Sequence, residues 1–119
     1  MAKLCNCMES EIRREITKLY KSSFGKGPES TEVIIYENFV FLKFLGAFSQ
    51  IEETLLKTVK GREIVEEIRD ELILAQASLY IPIIEEIVKE KVDKVNYIME
   101  DKKNTLYMFI LFTNIIEKV

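Results

Sequence analysis

The chain has 119 residues, of which 48% are hydrophobic and 31% charged, with a formal net charge of −3. That length suits a single domain, 1–119, able to bury a core without staples, and the composition lies well away from that of disordered chains. Acidic and basic residues interleave along the chain, so there is no bulk positive field to hold a polyanion, and a general nucleic-acid-binding role is excluded.

Histidine and tryptophan are absent. With Ile, Glu and Lys abundant, the balance leans toward a thermophilic source. Cys5 and Cys7 stand too close in sequence for an unstrained disulfide, which favours a reducing compartment. No apolar stretch reaches the roughly 18 residues of a membrane span, and Met1 to Cys7 lacks the apolar run of a signal peptide. The expectation is a cytoplasmic protein without direct membrane insertion, with residues 1–9 flexible.

Residues 8–24 place Met8, Ile12, Ile16, Leu19, Tyr20 and Phe24 at spacings of three and four, which predicts an amphipathic helix. Gly25 can take the left-handed conformation that ends it, and Pro28 forbids continuation. Residues 31–37 and 39–46 are rich in β-branched and aromatic side chains around Glu37-Asn38, which reads as a tight hairpin. On the second of these strands Phe39, Phe41, Lys43 and Leu45 share one face and Val40, Leu42 and Phe44 the other.

Ser49-Gln50-Ile51-Glu52 has the form of a capping box, so a helix begins near Gln50. A long helical stretch follows to about Val92, with Ile51, Leu55 and Val59 and then Ile64, Ile68, Leu72, Ala75 and Leu79 as its expected buried stripe. Gly61 marks a bend or break, and Pro82 a kink or a new start. Residues 94–99 and 105–113 form a second hairpin around the polar run Glu100 to Asn104. Leu106 to Phe112 is apolar throughout, as in a strand buried on both faces. The fold class is therefore α+β: a four-stranded, mainly antiparallel sheet from two hairpins, packed with an N-terminal helix and a long kinked or broken central helix.

The usual nucleophile and base arrangements need a partner for a thiol or hydroxyl, and without histidine the common one is missing. Whether the protein is an enzyme stays open, with a non-catalytic role the simpler reading. Cys5 and Cys7 make a poor tetrahedral metal set, and no metal or other cofactor is implied. Adjacent glutamates such as Glu52-Glu53, Glu66-Glu67 and Glu85-Glu86 point about 100° apart on a helix and read as solvated surface. Gly25-Lys26-Gly27-Pro28 either caps the first helix or presents amides and an ammonium to an anion. Arg62 and Arg69, seven apart on one helix, either add guanidinium groups to that site or pair with neighbouring glutamates.

Taken in order, Gly25-Lys26-Gly27-Pro28, the strand leading to Gly46, the Ser49 to Glu52 cap and Gly61-Arg62-Glu63 with Ile68-Arg69 resemble the MpsC-like family. These are short bacterial proteins named for a component of a sodium-translocating, membrane-potential-generating system. The resemblance runs from about Ser10 to Phe112 and lies in order and spacing rather than in any single motif. The chain departs from the family pattern at Ser49-Gln50, where members carry Thr-Pro, and at Tyr97, where they carry Asp. The resemblance implies a cytosolic accessory to membrane ion transport or energetics, peripheral to the inner membrane through a partner, and no known catalytic activity.

Two functional classes follow. One is an interaction subunit of a membrane-transport complex; the other is a small-anion or small-ligand binding domain using Gly25, Lys26, Gly27, Pro28, Arg62 and Arg69. Phe39, Phe41, Leu45, Tyr107, Phe109 and Leu111 form a candidate apolar sheet face left over once the helices are placed. Such a face exceeds what monomers leave open and predicts a homodimer. The rival is a monomer in which the helix after Pro82 folds over that face.

Overall fold

A computed structural model describes residues 7–117. They form α1 (Cys7–Phe24), β1 (Ser30–Tyr36), β2 (Phe39–Leu45), α2 (Gln50–Leu55), α3 (Val59–Val88), β3 (Val92–Glu100) and β4 (Thr105–Phe112), with a single 3-10 turn between the last two strands. The α+β order expected from the sequence is the order found. The described part of α1 starts at Cys7, and Cys5 lies outside the described residues.

The two hairpins merge into one antiparallel sheet of order β1-β2-β4-β3. The hydrophobic strand β4 sits in its middle beside β2, paired on both sides, and β1 and β3 form the edges. The first hairpin turns with Glu37, not Asn38, at positive φ (52°). Asn38 instead ties the turn to the end of β4, donating from Nδ2 to the Phe112 carbonyl at 3.2 Å and accepting from the Phe112 amide at 2.8 Å.

Strand alternation splits the sheet into two unlike faces. Val33, Ile35, Val40, Leu42, Phe44, Leu106, Met108, Ile110 and Phe112 point inward against Ile12, Ile16 and Tyr20 of α1 and Val65, Tyr80, Ile84 and Val88 of α3, and this is the core. The helices lie on that side alone.

Two expectations for the central helical stretch are corrected. The chain breaks before Gly61, at residues 56–58, where Thr58 caps α3 by accepting the Gly61 amide at 2.9 Å. Helix α3 then runs 30 residues with Pro82 inside it, so no new helix starts there. Pro82 and Ser78, whose carbonyl loses its helical donor, are both exposed, so solvent can serve that carbonyl.

The break also overturns the expected stripe. Ile51 and Val59 are 74% and 82% exposed, and Ile64, Ile68, Ala75 and Leu79 likewise face outward. Leu55 and Leu72 are half-buried. The line that enters the core is Gly61, Val65, Arg69, Tyr80, Ile84 and Val88. Helix α3 is apolar on more than one side, and the i, i+4 pattern alone cannot tell which line is buried when the true one contains an arginine.

Gly61 is needed for proximity. A Cβ there would stand 1.8 Å from the Leu55 carbonyl oxygen, so the end of α2 packs directly on the first turn of α3. A glycine inside an exposed helix ordinarily gains about 1 kcal/mol on conversion to alanine. Here Gly61→Ala is expected to lose about 1–3 kcal/mol through overpacking, read as a lowered urea midpoint, while Ser78→Ala on the open side of the same helix leaves the midpoint within about 0.5 kcal/mol.

Candidate functional site

The polar centre of the molecule is built where α1, α2, α3 and the segment between β2 and α2 meet. Arg69 projects from the buried line of α3 and is 0% exposed. Its Nε donates to Glu52 Oε2 at 2.8 Å and its Nη2 to Glu52 Oε1 at 2.7 Å, the forked pairing that a guanidinium makes with a carboxylate. Nη1 donates to the Tyr20 hydroxyl at 2.7 Å and Nη2 also to the Ala47 carbonyl at 2.9 Å. The Phe24 ring lies 4.0 Å from the guanidinium carbon, and the rings of Phe48 and Tyr20 lie beyond it.

Glu52 holds two structures at once. Its Oε1 accepts the Ser49 amide at 2.9 Å while Ser49 Oγ accepts the Glu52 amide, which is the capping box expected from the sequence. The same carboxylate clamps Arg69, so Glu52 belongs to the interior and not, as expected, to a solvated pair with Glu53. Burial pushes the Glu52 carboxyl up, but hydrogen bonds from Arg69 and the Ser49 amide outweigh it and hold it below the usual range. Burial likewise works against charge on Arg69, and the Glu52 and Tyr20 contacts overcome it and raise its pKa. Burial dominates at Tyr20 and raises the phenol.

The segment between β2 and α2 is fixed from the opposite side as well. Asn104, at φ 50°, accepts the Ala47 amide on its carbonyl at 3.0 Å and the Phe48 amide on Oδ1 at 2.8 Å. Its Nδ2 donates to Glu53. Tyr20 donates to the Ala47 carbonyl at 2.6 Å.

The structure does not gather the sequence-nominated cations into one open site. Arg69 is enclosed, with its donors committed. Arg62 is held between Asp101 at 2.7 Å and Glu66 at 2.9 Å. Gly25, at φ 77°, donates its amide to the Lys21 carbonyl at 2.9 Å and so closes α1, the capping role. Lys26 is exposed, beside half-buried Gly27 and Pro28. Tyr97 donates its hydroxyl to Asp70 of α3; burial and then that carboxylate raise the phenol. Among the described residues no group of three or more His, Cys, Asp or Glu is placed to hold a metal ion.

The outer face of the sheet is left uncovered by the helices. The strand registers lay Ile34, Phe41 and Phe109 in one row and Tyr36, Phe39 and Leu111 in the next, with Tyr107 and Ile98 beside them. Phe41 stacks on Tyr107 at 5.8 Å and meets Phe109 at 5.0 Å, and Tyr36 meets Phe39 at 5.8 Å. Glu32 lies opposite Lys43 in the register, yet the two form no ion pair among the described residues. Five of the six residues nominated from the sequence as a left-over face (Phe39, Phe41, Tyr107, Phe109 and Leu111) lie in this patch, and Leu45 borders it.

Together these features define an α+β domain with its helices on one sheet face and an aromatic surface on the other. The chain belongs to the family described as "Na+-translocating membrane potential-generating system (MpsC)", whose model matches residues 6–113. It is also 38% identical over 63 residues to "Uncharacterized protein YrhF" of Bacillus subtilis (strain 168). That match spans 53% of this chain and 52% of the relative, about half the length of each. No solved structure matches the chain. No helix among the described residues is long and apolar enough to cross a membrane.

The buried pair has a measurable consequence. Arg69→Met strands the Glu52 carboxylate in the interior and is expected to cost about 3–5 kcal/mol, with part recovered in Arg69→Met/Glu52→Gln. Because the folded Glu52 pKa is depressed, its contribution is present above the ordinary carboxyl value of 4.5 and is lost as pH falls through the folded pKa. Urea midpoints across that acid range should fall for the wild type, with this component absent in Glu52→Gln.

Proposed function

We propose that the protein is a non-catalytic, cytosolic interaction subunit of a membrane ion-transport or energetics system, working as a homodimer and reaching the membrane through a partner. The observation that carries this reading is the aromatic outer face of the sheet. Eight apolar residues, each taking about 4.8 Å across the strands and about 6.6 Å along one face, give on the order of 250 Å² before side-chain relief is counted, bounded on β3 by Asn96 and Lys94. Contiguous apolar patches of a few hundred Å² are often functional. A second copy placing its own outer face on the first is the simplest cover, because one patch then serves both sides of a two-fold axis. Two sheets packed this way make a sandwich with aligned strands. Glu32 and Lys43, unpaired within the subunit, supply an anion and a cation for the partner copy. The helix after Pro82 stays on the inner face, so it does not compete for this surface. The link to a membrane system rests on the description of the family.

Phe109→Asp tests the dimer. Phe109 points away from the core, so the variant is expected to remain folded by circular dichroism and to scatter light as a 13.9 kDa species, while the wild type scatters as twice that mass. A wild type of monomeric mass at micromolar concentration contradicts the dimer.

A small-anion site at Gly25 to Pro28 is the second reading. The exposed Lys26 ammonium favours it, but Arg62 and Arg69 are engaged elsewhere, so it reduces to Lys26 and the loop amides. A rise in melting temperature with inorganic phosphate, absent in Lys26→Ala, is the result it requires.

A further inference from the structure

The helical layer is incomplete over the edge strand β3. Helix α1 packs beside β1, and α3 crosses the middle of the sheet. Beyond α3 a groove of about 580 Å³ runs along β3, with Leu74, Ala77 and Ile81 of α3 as one wall, the inward side chains of Val95 and Tyr97 along the other side, and one charge of each sign, Asp93 and Lys94, at the β3 rim. Val95 lies opposite Ile110 and Tyr97 opposite Met108 in the register, so both belong to the core face of the sheet, yet they remain only half-buried. Along α3 the wall continues toward the N-terminus as Glu63, Glu67, Asp70, Leu74, Ala77 and Ile81. The spacing is four, three, four, three, four, the interval at which a helix presents one seam to a second helix. Glu63, Glu67 and Asp70 are exposed, Leu74 is 73% exposed, and Ala77 and Ile81 are half-buried. Residues 72–84 contain no charged side chain, although this part of the helix is open to solvent at Leu74, Ala75, Ser78 and Leu79.

We propose that this groove docks an amphipathic helix from a different polypeptide, with apolar side chains on the half that meets Leu74, Ala77 and Ile81 and lysines or arginines on the half that meets Glu63, Glu67 and Asp70. The proposal rests on the interaction-subunit reading and names the chemistry of the partner. A helix is the occupant because it completes the layer, lying beside α3 at the usual separation of about 8–10 Å. The partner is basic because Glu63 and Glu67 stand exposed on one half of the seam with no ion pair among the described residues, beside Asp70, which already accepts the Tyr97 hydroxyl. A second copy of this chain does not fit. Two α3 helices paired in parallel set acid against acid, and paired antiparallel they set carboxylates against Leu74 and Ile81, where desolvation opposes them. The outer face of α1 carries Arg14, Lys18 and Lys21 but no exposed apolar residues for the other half. An anionic lipid surface is repelled by the same carboxylates.

The test uses the full chain and labelled synthetic helical peptides of about 20 residues, one with leucine at the seam positions of one half and lysine at those of the other, and one with glutamate replacing the lysines. Fluorescence anisotropy should show saturable binding of the lysine peptide and none of the glutamate peptide. Leu74→Glu should weaken binding at least about tenfold, as loss of a central anchor does, without changing the mass by light scattering. Glu63→Lys/Glu67→Lys should reverse the preference between the two peptides. Failure of wild type to bind the lysine peptide, equal binding by Leu74→Glu, equal binding of both peptides, or preferential binding to phosphatidylglycerol vesicles overturns the proposal. A Phe109→Asp monomer that still binds the lysine peptide supports it, and the mass measurement then judges the dimer separately.

Discussion

The fold turns on one buried ion pair. Arg69 and Glu52 sit 17 residues apart on helices separated by a break, and their forked bond locks α2 against α3. Through Tyr20 the same guanidinium reaches α1, and through the Ala47 carbonyl it reaches the end of the first hairpin. Taking two charges out of water is expensive, and replacement of such a pair by apolar groups often costs nothing. What the pair adds here is definition. A helix as apolar as α3 could bury any of several lines, and the guanidinium, with partners on one side only, selects the line that carries it.

That choice has a consequence at the surface. With Val65, Arg69, Tyr80, Ile84 and Val88 inward, Ile64, Ile68, Leu74 and Leu79 are turned out. The sheet shows the same economy. Its inner face is covered by helices except along β3, while its outer face keeps rings that would serve a core equally well. The domain thus carries apolar side chains on two opposite sides, Leu74 and Leu79 on α3 and the rings of the outer sheet face. Membership of the MpsC family gives those surfaces a setting.

Much of the architecture was legible because it depends on local rules. The capping box at Ser49 and Glu52, the end of α1 at Gly25, the hairpin signals and the alternation in β2 and β4 are each set by a few neighbouring residues. The aromatic face could be read for the same reason, since a period of two assigns Phe39, Phe41, Tyr107, Phe109 and Leu111 to one side once both strands are placed. Glu52 was half visible: its capping role follows from Ser49 three residues earlier, whereas its second partner lies across the break.

By itself, then, the sequence determined the element types, their order, the pairing of hairpins into one antiparallel sheet and the existence of a surplus apolar face. Only the tertiary structure decided which side of α3 is buried, that the chain breaks before Gly61, that α3 continues through Pro82, and that Arg69 is interior while Arg62 stays at the surface. The physical reason is that periodicity scores an arginine as a solvent residue. Its burial becomes favourable only when Glu52, Tyr20, Ala47 and Phe24, brought from separate parts of the chain, surround it at bonding distance.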